Sequence, residues 1–166
     1  MINIIPVHMK KIFILSLLVF LSYSAFCQQP LYRYYNGKQQ KHYYTVNFNE
    51  FGNGTRDWML EGQACLVFSD GDRDRGIVPL LRYFNSRTGD HYYTIHRHIL
   101  GNGAQGYNLE GPACYIYKFR VDGTVPLFEY YNQRTGDHFY TADRTELGRG
   151  YDGYVFDAIV GFVFLQ

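Results

Sequence analysis

The sequence predicts an all-β domain of β-trefoil-like form, built from three pseudo-symmetric four-stranded repeats. Three observations carry that expectation: a unit that recurs three times, short apolar segments divided by turn residues, and an aromatic-rich composition. Of the 166 residues, 17 are Tyr, 13 are Phe and 17 are Gly. Tyr and Phe favour strands, and a high glycine content supplies turns.

The first element is not part of the domain. Met9-Lys10-Lys11 is a short basic start, an apolar run from Ile12 to Leu21 follows, and small and polar residues lead to Cys27. That is the pattern of a secretory signal peptide, with an apolar core too short to span a membrane. The expected division is a signal peptide over 1–27, cleaved near Cys27/Gln28, and a single domain over 28–166. Either Met1 or Met9 serves as its start. The protein is expected to be secreted, extracellular or periplasmic. With Lys10 and Lys11 removed, 14 basic residues face 15 acidic ones. A balance that close to zero gives no footprint for nucleic acid or an anionic membrane. No second apolar run offers a membrane span in the mature chain.

The repeats span 30–78, 79–125 and 126–166. Their first halves read "PLYRYYNGKQQKHYYT" from Pro30, "PLLRYFNSRTGDHYYT" from Pro79 and "PLFEYYNQRTGDHFYT" from Pro126. Their second halves, Phe51 to Phe68, Leu100 to Tyr117 and Leu147 to Phe164, align without gaps. Self-similarity at a fixed period makes each copy one supersecondary unit. In the first copy the expected strands are Leu31 to Tyr35, His42 to Val46, a segment around Trp58 to Leu60, and Ala64 to Phe68. A turn at Asn36-Gly37 divides the first two.

The copies can be compared with one another. Tyr32, Leu81 and Phe128 exchange among apolar types and are expected to face the core. Arg33, Arg82 and Glu129 change sign of charge and are expected in solvent. Alternation then places Tyr34, Tyr83 and Tyr130 inside. Tyr44, Tyr93 and Tyr140 keep the hydroxyl in every copy.

"RTGDHYYT" and "RTGDHFYT" are the segments with the richest chemistry. Asp90 with His91, and Asp137 with His138, have the residue types of a proton-transfer or metal-ligand pair. Adjacent strand residues point to opposite faces, however, and a turn Asp usually accepts local backbone N–H groups. Copy one keeps His42 but has Gln40-Lys41 where the others have Gly-Asp, so the pair is not obligatory. Enzymes concentrate chemistry in one cleft rather than repeating it. No catalytic residue, metal site or cofactor is expected.

Cys65 and Cys114 occupy equivalent positions, with Gly161 in the third copy. A disulfide between them and a pair of buried free thiols are both open. What remains is a set of polar forks beside aromatics: Asn85, Asp90, His91 and Tyr93 in copy two, and Asn132, Asp137, His138 and Tyr140 in copy three. Such groups bind sugars, the forks taking hydroxyls and an aromatic face the C–H patch. Trp58, matched by Tyr107 and Tyr154, offers a platform.

"VPLFEYYNQRTGDHFYT", followed by "LGRGYDGYVFDAIVGFVF", resembles a secreted tandem-repeat family known only as a domain of unknown function. Its units read V-P-L-Y-R-x-Y-N, then T-G-D-H-F-Y-T, G-Y, E-G and a closing V-F. The likeness covers Pro30 to Phe164. Such repeats accompany secreted hydrolases, which implies an accessory or surface-attachment role, and the family supplies no catalytic residues. The expected function is a secreted, non-catalytic, lectin-like module whose partner is a glycan or cell-surface polysaccharide. The alternative is a protein–protein interaction module such as an adhesin or inhibitor.

Overall fold

The computed structural model describes residues 28–73 and 75–165. The expected signal peptide lies outside them. The described residues form nine strands in one antiparallel sheet: β1 (Gln28–Asn36), β2 (Lys41–Thr45), β3 (Met59–Phe68), β4 (Ile77–Asn85), β5 (Asp90–Thr94), β6 (Tyr107–Tyr117), β7 (Val125–Asn132), β8 (Asp137–Thr141) and β9 (Tyr154–Val163). The fold is all-β, as the composition predicts.

The pairing recurs along the chain. β1 pairs with β2 and β3, β4 with β5 and β6, and β7 with β8 and β9. Each unit therefore contributes three strands, not the four expected. The segments around Trp58 and Ala64 belong to one long strand, because Glu61-Gly62 continues the ladder instead of turning. The strands β3, β6 and β9 meet only at single residue pairs near their ends, Phe68 with Tyr115 and Tyr117 with Phe162, plus a bridge from Leu66 to Phe164. Among the described residues no continuous ladder closes the barrel of a trefoil.

Two irregularities in each long strand pair set which side chains go inside. In β1 the register shifts between Leu31 and Tyr32 and again between Arg33 and Tyr34, and β4 and β7 repeat both shifts. A bulge re-aims the side chains beyond it. Leu31, Leu80 and Leu127 therefore join Tyr34, Tyr83 and Tyr130 among the fully buried residues, although simple alternation would not place both sets inside. The same shifts overturn the expectation that Arg33, Arg82 and Glu129 are solvated. Glu129 is buried, and the arginines are only partly exposed.

Tyr44, Tyr93 and Tyr140 tie the three units together. The Tyr93 hydroxyl accepts from the backbone N–H of Tyr44 at 2.8 Å, the Tyr140 hydroxyl from that of Tyr93 at 2.9 Å, and the Tyr44 hydroxyl from that of Tyr140 at 2.7 Å. The rings meet edge to face with centroids 5.3–5.5 Å apart. Buried hydroxyls must find partners, and here each finds one on the preceding unit. Around this ring pack Leu31, Leu80, Leu127, Val67, Ile116 and Val163 in one core cluster. The hydroxyls of Tyr34, Tyr83 and Tyr130 anchor the connections by donating to the carbonyls of Gly52, Gly101 and Gly148.

Candidate functional site

The hairpin turns hold the Asp and His residues that the sequence singles out. Asn85 and Asn132 are buried and cap these turns: Asn85 Oδ1 accepts from the Arg87 N–H, and Asn132 Oδ1 from those of Arg134 and Thr135. They shape the turn and leave little for a ligand. Tyr93 and Tyr140 are closed off in the tyrosine ring, so neither is available to a ligand. Cys65 and Cys114 are free, buried thiols, and burial pushes the Cys65 thiol up to about 12.

Asp90 and Asp137 do not pair with the histidines that follow them. Each reaches across to the next unit. Asp137 Oδ2 lies 2.6 Å from Nδ1 of His42, its Oδ1 accepts from the His42 backbone N–H at 2.8 Å, and the Tyr154 hydroxyl donates to Oδ2 at 2.5 Å. Asp90 repeats the arrangement with His138 Nδ1 at 2.7 Å, the His138 N–H at 3.1 Å and the Tyr107 hydroxyl at 2.5 Å. Both carboxylates are fully buried. Burial would raise the Asp90 pKa, but the bonds from His138 and Tyr107 outweigh it and hold the group below the usual carboxylate range. Burial would likewise lower His42 and His138, yet Asp137 with Glu61, and Asp90 with Glu129, raise both.

The third such position is different. The residue that ought to face His91 is Lys41, which stands where the other copies have Asp. Its ammonium turns away and donates to the carbonyls of Thr135 and Gly136 at 2.5 and 2.8 Å. Nδ1 of His91 is buried with no hydrogen-bond partner. Burial, with the Arg82 guanidinium nearby, pushes the His91 pKa down to about 4.

A second departure accompanies the first. In copies two and three, Gln105-Gly106 and Asp152-Gly153 both take positive φ just before the tyrosine. Glycine suits such a position because it has no Cβ to clash. A Cβ on Gly106 or Gly153 would also approach within 3.0 Å of the Nδ2 of Asn85 or Asn132. Copy one has Arg56-Asp57 there, neither with positive φ, and Asp57 instead pairs with Lys38 at 2.5 Å. Trp58, which replaces the tyrosine, packs against Phe51 and Tyr43 and brings no hydroxyl.

The result is three clefts between units, alike in position but not in size. The cleft between the third and first units, with His42 and Tyr154, has a volume of about 280 Å³. That between the second and third, with His138 and Tyr107, has about 310 Å³ and shares Tyr131 and Asp157 with an outer cavity of about 800 Å³. The cleft between the first and second units has about 840 Å³ and is lined by Trp58, Phe84, His91, Lys38, Arg87 and Glu110 among others. Within it His91 stacks on Phe84 at 4.7 Å and meets the edge of Tyr43 at 4.8 Å. Of the eight ligand-binding residues expected from sequence, His91 lines this cleft, with Asn85 and Asp90 in the turn beside it. Lys38, Phe84, Arg87 and Glu110 were not expected there. The one available signal was that copy one departs from the repeat twice, at Lys41 and at Asp57-Trp58.

Among the described residues no group of three or more His, Cys, Asp or Glu is placed to hold a metal ion. No helix of the described residues is long and apolar enough to cross a membrane. A protein-family model described as a domain of unknown function, DUF5648, matches residues 30–164. No curated protein and no solved structure matches the chain.

Proposed function

The chain belongs to the DUF5648 family of domains of unknown function, and from that premise we propose that it is a secreted, non-catalytic module that binds carbohydrate. The observation that carries the reading is the open cleft between the first two units. Its volume of about 840 Å³ lies in the range of small-molecule sites, which combine an apolar wall with a few placed polar groups. Trp58 and Phe84 supply the aromatic surface, and Lys38, Arg87, Glu110 and His91 the polar groups. A sugar presents both a C–H face and hydroxyl edges, and it suits this combination. The Asp–His pairs are structural joints between units in this reading, so the module does no chemistry of its own.

The three units, set about the tyrosine ring, form a scaffold in which the cleft that lacks a carboxylate of its own is the one used for binding. Trp58 is the chain's single tryptophan, so its fluorescence reports on that cleft directly. The test is a fluorescence titration of the mature chain against a panel of neutral and acidic oligosaccharides, backed by a glycan array. Saturable change with at least one sugar class supports the reading. No response across the panel, with a protein partner recovered from the native host's surface, contradicts it.

A protein-binding role has its own supporting observation. On β9 the side chains of Phe156 and Ile159, which pair with Tyr130 and Phe128 of β7 and so share a face, are 40% and 48% exposed. Apolar side chains gathered on one face mark contact surfaces. A Phe156→Ser variant that loses a protein partner while keeping sugar binding would assign that face separately.

A further inference from the structure

At two of the three inter-unit clefts the histidine already holds a ligand of known chemistry, a buried carboxylate supplied by the chain itself. Asp137 takes donors from His42 and Tyr154, and Asp90 from His138 and Tyr107. Between the first and second units the histidine is retained, but the carboxylate is not. His91 is 8% exposed, lines the cleft, and leaves Nδ1 without a partner. Nδ1 is itself closed to solvent, and a buried polar atom with no partner costs about 1–3 kcal/mol, so an acid that draws the imidazole toward the cleft recovers that cost. The charges at the cleft mouth fit an acid. Lys38 and Arg87 both line it. Lys38 is held by Asp57, whereas no carboxylate of the described residues lies within ion-pair distance of Arg87. Both acids of the lining are already paired, Asp57 with Lys38 and Glu110 with Arg82 at 2.6 Å.

We propose that this cleft is a carboxylate site for an acidic oligosaccharide. A uronic-acid unit places its carboxylate toward His91 and Arg87, in the role that Asp90 and Asp137 play in the other two clefts. Its ring then lies against Trp58 and Phe84. The proposal rests on the carbohydrate reading and adds to it the substrate class, the single site and the residue that opened it. Lys41 is that residue. With Asp in its place the chain would supply its own carboxylate to His91, and the cleft would be satisfied like its two counterparts.

The test follows from that symmetry. The mature chain is titrated with oligomers of galacturonate, glucuronate and mannuronate, with their methyl esters, and with triglutamate, all read by Trp58 fluorescence. At least one oligouronide is expected to bind, with its methyl ester at least tenfold weaker. Lys41→Asp and Arg87→Ala are each expected to weaken binding at least tenfold. Lys41→Asp is also expected to move the His91 titration, followed by NMR, upward toward those of His42 and His138, which reports on the filled site whether or not sugar is present. Arg87 is exposed, so its variant tests the site even where Lys41→Asp perturbs the fold. Esters that bind as well as the acids, with both variants indifferent, overturn the carboxylate site and leave the carbohydrate reading standing. Triglutamate binding as tightly as the best oligouronide overturns the assignment in favour of an acidic peptide. Silence from acids and esters alike overturns the carboxylate site, and silence from the neutral oligosaccharides as well overturns the carbohydrate reading.

Discussion

Asp137 Oδ2 lies 2.6 Å from Nδ1 of His42, although 95 positions separate the two residues. The contact joins the last unit to the first, and Asp90 with His138 joins the second to the third. Removing one partner of a buried, hydrogen-bonded charge pair leaves the other unsatisfied. Asp137→Asn and Asp90→Asn are each expected to destabilise the fold by about 3 kcal/mol, measured by urea denaturation. In a double-mutant cycle, Asp137→Asn should couple to His42→Gln and be additive with His91→Gln.

The tyrosine ring makes a second prediction. Tyr93→Phe removes the hydroxyl that accepts from the Tyr44 N–H and donates to the Tyr44 carbonyl. It orphans two buried backbone groups while leaving the ring in place. The expected loss is about 1–3 kcal/mol, with Tyr44→Phe and Tyr140→Phe in the same range. Tyr151→Phe, at an exposed position, should change stability little in the same denaturation experiment.

Three histidines at equivalent positions should titrate differently. His91 is pushed down to about 4 by burial and the nearby Arg82. His42 and His138 are raised, because their carboxylate partners outweigh burial. The ordinary value lies near about 6.5. Two-dimensional NMR of the imidazole rings across pH 3.5 to 8.5 should give one resonance set that titrates near the bottom of the range and two that titrate above the ordinary value. The stabilities follow with opposite signs. The His42 and His138 pairings contribute fully below about pH 6.5 and are lost as pH rises through their folded values. His91 favours the folded state above that pH, and the contribution is lost as pH falls toward 4.

Glu129 supplies a fourth. Burial, with Asp157 adding to it, pushes its pKa up to about 7 against the attraction of His138. The folded state then holds a proton that the unfolded chain has released, so stability falls as pH rises from about 4.5 to 7 and stays low above that window. Glu129→Gln removes the dependence. Its stability relative to the parent should grow by about 3 kcal/mol between pH 4.5 and pH 8, read as the difference in thermal unfolding between the two pH values.

The all-β class and the turns were legible because strand propensity and turn chemistry are local. Asn36, Asn85 and Asn132 end a strand at the same place in three copies, and each caps the turn that follows. The strand count was not legible, because Gly62 and Gly111 look like turn residues in the sequence but sit inside long strands with positive φ. The bulges beside Leu31 and Tyr34 were also hidden, and with them the burial of Glu129. For the site, the sequence identifies Asp90, His91, Asp137 and His138 but offers each Asp only the local turn or the neighbouring His as a partner. The true partners come from the next unit, and strand pairing alone does not reveal how units abut. Lys41 carried the most information of any residue in copy one. Its meaning appears only once Asp137 is seen to serve His42, since that defines what His91 lacks.

One titration tests the central claim most directly: ¹H–¹⁵N NMR of the mature chain with the tightest-binding oligouronide. Perturbations are expected at the Trp58 indole, the Arg87 side chain and His91, with His42 and His138 unmoved. Equal perturbation at all three clefts, or shifts centred on Phe156 and Ile159, would contradict the claim that the cleft opened by Lys41 is the binding site.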